Sequence, residues 1–227
     1  MKLIGENQKK VIVDRTLDNT KNFQIDGVDG VIIENITVEN QNTSIGAFYL
    51  NNTNYTQIKN INGINIDDTF IKNCGVKNSK IHVNYIEYQN PGWNTNKGLK
   101  FFGPINEFND IFIGKTNSTG AQDISITSSA AQYCTINFIK IYTIYLMDTF
   151  LNLQFYGSYC RLLIYESGGP FAETMSSFNG IEFYQVTTNT PGFFSPIENT
   201  FSGCIWDVNQ WDSTMNKKDT THMNVEY

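Results

Sequence analysis

One short phrase recurs along this chain and limits its possible folds more than any other feature. It reads apolar, two small or polar residues, apolar, one residue, apolar. Its copies begin at Ile33, Ile61, Phe108, Tyr133, Tyr159, Phe178 and Phe201, with a partial copy at 81–83. The last apolar positions run from Val38 to Trp206, 168 residues over seven intervals, which is a mean spacing of about 24 residues. Repetition on this scale is typical of solenoids, in which one supersecondary unit stacks on itself.

The spacing inside the phrase predicts a strand, a bend and a second strand. Ile36 and Val38 are two residues apart and therefore point to one face of a strand. The polar pair before Ile36 breaks the alternation, as a bend or bulge does. We therefore predict an all-β parallel β-helix, or solenoid, with irregular coils. The alternative is an antiparallel β-sandwich or jelly roll, because regularly spaced short strands also fit that class.

Composition supports an all-β chain. Asn occurs 29 times in 227 residues, and aromatic residues make up 14%. Asn tolerates left-handed backbone and can form side-chain ladders between stacked, identical corners, although an AT-rich genome also raises its frequency. Ile, Val, Thr, Tyr and Phe favour strands. The segment Thr143–Tyr156 fits helix and strand about equally, and we assign it to strand.

Polarity divides the chain into three parts. Residues 1–20 are polar and are predicted to form an N-terminal cap or arm. Residues 21–208 carry the repeats and form the solenoid domain, with polar excursions such as Thr116–Gln122 predicted as loops. Residues 209–227 lose the periodicity and are predicted to be a polar C-terminal cap or tail.

Charge and hydropathy exclude several functions. The formal net charge is −6 and the chain has only two arginines, Arg15 and Arg161. A nucleic-acid partner needs a basic footprint and is not expected. The same composition disfavours a site that clamps acidic sugars with several arginine forks. The N-terminus lacks a secretory apolar region and no apolar run could cross a bilayer, so we expect synthesis in a cytoplasm without membrane insertion.

The sequence contains few residues that could carry catalysis or bind a metal. There are two histidines, and His82 is predicted to lie on the outer surface of a strand. None of the four cysteines forms a CxxC pair, and we expect them to be buried as small hydrophobes: Cys74, Cys134, Cys160 and Cys204. Phosphate-loop, dinucleotide and nucleophile-elbow motifs are missing. We predict neither a cofactor nor a metal.

One acidic pair is a candidate for glycosidic chemistry, which uses two carboxyl groups that flank the scissile bond. Asp67 and Asp68 directly follow the apolar run that ends at Ile66. An Asp-Asp pair at a strand end is also an ordinary solvated turn. A catalytic role for this pair therefore competes with a structural one.

Aromatic residues give the better binding argument, because sugars stack on exposed Trp and Tyr through their apolar faces. Trp93 lies in a polar loop, and Trp211 lies just past the last repeat. Tyr165 and Tyr184 follow apolar positions of two copies and are predicted to face outward. With Asp207, these residues form the predicted ligand-binding set, and such a patch suits glycan recognition or a protein interface.

The stretch Phe23–Asn40, FQIDGVDGVIIENITVEN, resembles coils of right-handed parallel β-helix proteins, and "IKNINGINI", "FNGIEF" and "FSGCIW" are similar. This class includes the pectate-lyase-like and polygalacturonase-like families and many bacteriophage tailspikes and tail fibres. The polygalacturonase-like enzymes imply an Asn-Thr-Asp motif, an Asp-Asp pair, a Gly-His-Gly motif and an Arg-Ile-Lys motif. Only Asp67-Asp68 matches, so the catalytic set does not carry over.

The viral branch of the resemblance implies a different role. It implies a virion structural or receptor-binding protein of a phage tail or appendage. Such a protein is a homotrimer, contacts other virion proteins and presents its solenoid to cell-surface glycan for host attachment. Two alternatives stay open. One is a polysaccharide-degrading β-helix enzyme, a depolymerase that uses Asp67 and Asp68. The other is a β-sandwich capsid or turret protein.

Overall fold

The computed structural model describes most of the chain: residues 1–5, 12–14, 23–40, 46–89, 91–92, 96–102, 106–127, 131–147, 150–166, 174–188, 200–206 and 223–225. These residues form 18 strands and contain no helix. The strands are β1 (Lys2–Ile4), β2 (Ile12–Asp14), β3 (Phe23–Asp26), β4 (Ile32–Glu34), β5 (Thr37–Glu39), β6 (Phe48–Asn51), β7 (Gln57–Ile66), β8 (Thr69–Cys74), β9 (Lys77–Tyr88), β10 (Lys97–Phe101), β11 (Glu107–Thr116), β12 (Gln122–Thr127), β13 (Thr135–Met147), β14 (Phe150–Glu166), β15 (Thr174–Asn179), β16 (Glu182–Thr188), β17 (Thr200–Trp206) and β18 (Met223–Val225).

Every pairing between these strands is parallel, and one sheet contains all of them. The sheet winds into three faces. Face A is the ladder β1-β4-β7-β9-β11-β13-β14-β15-β17-β18. Face B is the ladder β2-β5-β7-β9-β11-β13-β14-β16-β17. Face C is the ladder β3-β6-β8-β10-β12-β13-β14-β16. The predicted parallel β-solenoid is confirmed, and the antiparallel sandwich is wrong for the described residues.

A column of apolar side chains occupies one position of successive coils on face A. Its members are Leu3, Ile33, Ile58, Ile81, Ile111, Ile136, Phe155 and Phe178. All but the partly buried Leu3 are buried. The backbone register continues to Met223, so 220 residues are covered in nine steps, a mean of about 24 per coil. This matches the repeat length that the recurring phrase predicts.

The phrase marks the inward positions in some coils and not in others. All three apolar positions are buried in the copies that begin at Ile33, Phe108 and Phe178. The copy at Ile61 is out of register, because Thr37 pairs with Asn62 and Ile61 therefore takes the position of Ile36.

In the copy that begins at Tyr159, the buried residues lie one position after those that the phrase predicts. Cys160 and Leu163 are buried there, and Tyr159 faces outward. The reason lies in the neighbouring strand. Strand β14 pairs with β13 residue by residue, so Cys160 and Leu163 take the inward positions of Ile141 and Ile144.

Asparagine side chains link successive coils at the corner between faces A and B. Asn35 and Asn60 both have a left-handed backbone, with φ of 60° and 55°. Asn60 Nδ2 donates to Asn35 Oδ1, and Asn84 Nδ2 donates to Asn60 Oδ1 at 2.7 Å. Asn35 Nδ2 in turn donates to the carbonyl oxygen of Gly5 at 3.2 Å. The side-chain ladder that the asparagine content predicts is present.

Two further side-chain contacts repeat this arrangement at other corners. Asn65 Nδ2 donates to Asn40 Oδ1 at 3.1 Å, and both residues have a positive φ. Asn51 Nδ2 donates to Asp26 Oδ1 at 2.8 Å. Asn suits these corners because it adopts left-handed backbone more readily than other side chains and supplies both a donor and an acceptor.

Phenylalanines in register stack at about the strand spacing, which is roughly 4.8 Å. The ring centroids of Phe155 and Phe178 are 4.8 Å apart and nearly parallel, and those of Phe23 and Phe48 are 5.0 Å apart. Each fully buried Phe or Ile stabilises the fold by roughly 1.5–3 kcal/mol relative to exposure. The interior columns therefore supply most of the driving force for coil stacking.

The terminal segments of the described chain also belong to the ladders. β1 and β2, within residues 1–20, pair with β4 and β5 in the same register as later coils. In residues 209–227, β18 pairs with β17.

We expect Asn60→Ala to lower the free energy of unfolding by about 1–2 kcal/mol. It removes two ladder hydrogen bonds and places a Cβ-bearing residue without a polar side chain at a left-handed position. Asn60→Gly keeps the backbone conformation and should cost less. Urea denaturation of the two variants and of Asn62→Ala, which lies outside the ladder, measures the effect. An Asn60→Ala protein as stable as wild type would contradict the ladder's contribution.

Asn73 is a polar residue at an inward position of face C. It pairs in register with Leu50 below and Phe101 above, and it is fully buried. Neither its Oδ1 nor its Nδ2 atom has a hydrogen-bond partner among the described residues. A buried, unsatisfied amide is costly, whereas Leu has a similar branched shape and no polar atoms.

We expect Asn73→Leu to raise the free energy of unfolding by about 1–2 kcal/mol and Asn73→Asp to lower it. Thermal melts of the two variants beside wild type measure both changes. A loss of stability in Asn73→Leu would show that the amide makes a stabilising interaction at this position.

Candidate functional site

A loop leaves the solenoid between faces B and C and creates an irregular corner there. Strand β11 ends at Thr116, and β12 begins at Gln122, so residues 117–121 project from the coil as the sequence predicts. The next coil has no such loop, because β13 pairs with both β11 and β12 as one continuous strand. The middle of β13 therefore lies over the opening from which the loop leaves.

Asp123 fills this opening from the inside. Its Oδ2 atom accepts hydrogen bonds from the backbone N–H groups of Tyr142 and Thr143, the residues of β13 that cross the gap. Thr116 Oγ1 also donates to Oδ2, at 3.2 Å. The carboxylate thus takes the place of the backbone carbonyl groups that the loop carries away, and it satisfies amide groups that would otherwise be buried without a partner.

Tyr88 supports the carboxylate from the coil below. Its phenol oxygen donates to Asp123 Oδ1 at 3.0 Å, and its ring is buried. The side chain of Asn117 fixes the start of the loop to the backbone of Tyr88 through Nδ2 and Oδ1. Gly98 leaves room for this arrangement, because a Cβ atom there would lie 2.5 Å from the Asp123 carbonyl oxygen and 2.9 Å from the Tyr88 hydroxyl.

The buried carboxyl group has an altered acidity. Burial raises the pKa of Asp123 from its ordinary value to about 6, and the hydrogen bonds from Tyr142, Tyr88, Thr143 and Thr116 act in the opposite direction. Burial also raises the pKa of the Tyr88 phenol well above its usual value, and the neighbouring Asp123 adds to this. Desolvation disfavours the charged form of both groups.

A surface cleft of about 360 Å³ lies outside this corner. Its lining residues are Thr116, Ser118, Thr119, Lys140, Ile141, Tyr142, Tyr159 and Arg161. The loop forms one wall, and Ser118 Oγ stabilises the loop by accepting the backbone N–H of Ala121 at 2.8 Å. Strands β13 and β14 form the other wall, so the cleft is held on regular secondary structure.

In the cleft and beside it, aromatic and cationic side chains alternate along the strands. The guanidinium of Arg161 lies 5.3 Å from the ring centre of Tyr142 and 4.9 Å from that of Tyr184. Lys140 Nζ lies 5.6 Å from the ring centre of Tyr159, with which it pairs in register. We call these five residues the Tyr-Arg face. Cation–π contacts of this kind contribute roughly 0.5–1 kcal/mol each at exposed sites and restrict the side chains.

The structure describes the side chain of only one of the five predicted ligand-binding residues. Tyr184 is exposed, as predicted, and lies on the Tyr-Arg face. Tyr165 pairs through its backbone with Leu146, but its side chain lies outside the described part. Trp93, Trp211 and Asp207 also lie outside the described residues.

Asp67 and Asp68 form the turn between β7 and β8, and neither lines the cleft. Asp68 Oδ1 accepts the backbone N–H of Thr69 at 2.6 Å and its hydroxyl at 3.1 Å. The Asp68 carboxylate therefore contacts the first residue of β8, Thr69. His82 faces outward as predicted, and its Nε2 atom is 2.9 Å from Asp110 Oδ2.

The four cysteines are buried and unpaired with each other, which agrees with their expected role as small hydrophobes. Among the described residues, no group of three or more His, Cys, Asp and Glu side chains is arranged to hold a metal. That part of the chain also contains no helix long and apolar enough to cross a membrane.

Sequence reasoning missed Asp123, Tyr88 and the cations of the Tyr-Arg face. A usable signal was the position of Asp123, which directly follows the predicted loop Thr116–Gln122. Lys140 and Tyr159 gave no signal, because their alignment depends on a coil step of only 19 residues.

Comparison with known proteins adds no relative: no protein-family model matches the chain, and neither the curated proteins nor the solved structures contain a significant match.

We expect Asp123 to make the protein less stable as the pH rises from about 4 to about 6. The folded protein keeps the proton up to about pH 6, whereas the unfolded chain loses it near its ordinary pKa. The unfolding free energy should therefore fall across this window, by up to about 3 kcal/mol. Urea denaturation at pH 4, 5, 6 and 7 measures this slope.

Asp123→Asn is the matched control for this titration. Its amide can keep both roles, since Oδ1 accepts from the β13 amides and Nδ2 donates to the Tyr88 oxygen. The difference between wild type and variant isolates the contribution of residue 123. Identical pH slopes in the two proteins would contradict the raised pKa.

Proposed function

We propose that the chain is a glycan-binding β-solenoid and that cell-surface polysaccharide binds in the cleft and along the Tyr-Arg face. The observation that carries the proposal is the cleft itself, whose walls combine Tyr142 and Tyr159 with polar groups from Ser118, Thr119 and Arg161. Ligand sites typically combine aromatic surface with a few polar groups that fix orientation.

The geometry suits an extended ligand. Tyr142, Arg161 and Tyr184 lie on successive coils, so neighbouring members are separated by about one strand spacing of 4.8 Å. Tyr side chains present large apolar surface with a polar tip and lose little conformational entropy on binding. A flat face of this kind can contact consecutive units of a polymer.

The resemblance to phage β-helix proteins adds a biological setting to this proposal. In that setting the chain is a receptor-binding component of a virion appendage. The homotrimer, the virion location and the contacts with other virion proteins remain predictions from that resemblance.

An array of bacterial capsular polysaccharides and lipopolysaccharides, probed with the whole chain, tests the proposal. We expect binding to at least one polysaccharide. Tyr159→Ala should weaken it about tenfold, since the loss of one stacked ring costs about 1.4 kcal/mol.

Tyr156→Ala is the control, because Tyr156 is an exposed tyrosine that does not line the cleft. It should bind as wild type does. Absence of binding across the array, or equal losses in the two variants, would reject the cleft as a glycan site.

A further inference from the structure

The local charge at the Tyr-Arg face and at the neighbouring Lys115 differs in sign from that of the whole chain. Lys115 and Lys140 pair in register across β11 and β13, and Arg161 lies on the next coil. All three side chains are exposed. Three cations thus occupy successive coils on face B of a chain whose net charge is −6.

Within the described residues, these cations have no carboxylate partner within 4.0 Å. The lysines of face A differ, because Lys59 pairs with Glu34 and Lys80 pairs with Asp110. Like charges directly opposite each other on neighbouring strands are destabilising. An anion bound near these lysines would relieve this repulsion.

Two described acids near the face, Glu182 and Asp123, form no ion pair with its cations. Glu182 pairs in register with Tyr159 but makes no ion pair with Arg161 or Lys140. The Asp123 carboxylate lies behind the cleft wall, and its two oxygens already accept four hydrogen bonds.

Arg161 is held in a suitable geometry for an anion. Its guanidinium carbon lies 5.3 Å from the ring centre of Tyr142 and 4.9 Å from that of Tyr184, so two cation–π contacts restrict its position. Among the described residues, no hydrogen bond uses its N–H donors. A planar guanidinium can bind a carboxylate or a phosphate with two parallel hydrogen bonds, and a positioned side chain loses less entropy when it does so.

We propose that the cleft recognises an acidic glycan, whose carboxylate or phosphate group binds Arg161 while Lys140 and Lys115 contribute charge. This inference rests on the proposed glycan-binding function and names its substrate class. One arginine and two lysines suffice for it, so it does not need the several arginine forks that the composition disfavours.

Matched polymers test the inference. The probes are hyaluronan, carboxyl-reduced hyaluronan and a glycerol-phosphate teichoic acid, each measured by affinity electrophoresis with the whole chain. We expect one of the two acidic polymers to bind at least about tenfold more tightly than the neutral one, a difference of about 1.4 kcal/mol. Preference for hyaluronan identifies the carboxylate, and preference for teichoic acid identifies the phosphate. Added salt should weaken the binding, because it screens exposed charges.

Variants locate the anion. Arg161→Gln should reduce acidic binding about tenfold, and Arg161→Lys should retain part of it, because the charge remains and the fork is lost. Lys59→Gln, which removes a cation of face A, should bind as wild type does.

The outcomes separate the two proposals. Equal binding of acidic and neutral polymers that Tyr159→Ala weakens would reject the acidic ligand and keep the glycan site. Equal losses in Arg161→Gln and Lys59→Gln would reject the specific anion site in favour of diffuse charge. The acidic-glycan proposal would also be rejected if none of the three probes binds and only neutral polysaccharides bind on the array. Failure of every polysaccharide on the array would reject the glycan-binding function itself.

Discussion

The backbone hydrogen bonds between coils are the constraint on which the rest of this structure depends. In a parallel solenoid, the amides of each coil find their acceptors on the coil beneath, and a buried amide without an acceptor is costly. A loop that leaves one coil removes those acceptors from the next. At the exit of residues 117–121, Asp123 supplies an acceptor in their place, and the continuous strand β13 becomes possible.

Side chains also make hydrogen bonds between coils at other corners. At the A–B corners, Asn35, Asn60 and Asn84 connect coils through their side-chain amides where the chain bends. These contacts are exposed and uncharged, so they cost little to desolvate. Asp123 is fully buried, and its raised pKa reflects the cost of keeping a charge there. This cost arises at the described corner where the cleft lies, and strands β13 and β14 above the gap carry most of the Tyr-Arg face.

Much of the fold could be predicted from sequence, because the spacing of apolar residues and the abundance of Asn both reflect stacked coils. The register could not be predicted in full. Ile58, Ile61 and Ile64 follow each other at intervals of three residues. The complete phrase fits only from Ile61, whereas the structure aligns Ile58 with Ile33. In β14, Leu162, Leu163 and Ile164 are consecutive apolar residues, and the alternation therefore does not show which of them faces inward.

The candidate site was less predictable than the fold. The sequence predicts that Tyr184 faces outward, because it directly follows the last apolar position of a phrase copy, and the residue is exposed. The cations and Asp123 depend on which residues lie side by side in successive coils. Coil steps vary from 19 to 30 residues, so a small error in register moves a side chain to the other face of its strand.

Amide hydrogen exchange at Tyr142 and Thr143, measured by NMR on the whole protein, tests the account most directly. If Asp123 accepts both N–H groups, they should exchange as slowly as the flanking amides of β13 in wild type and in Asp123→Asn. In Asp123→Ala they should exchange much faster, while amides of β4 and β5 keep their protection. Fast exchange of these two amides in wild type, or unchanged protection in Asp123→Ala, would contradict the account.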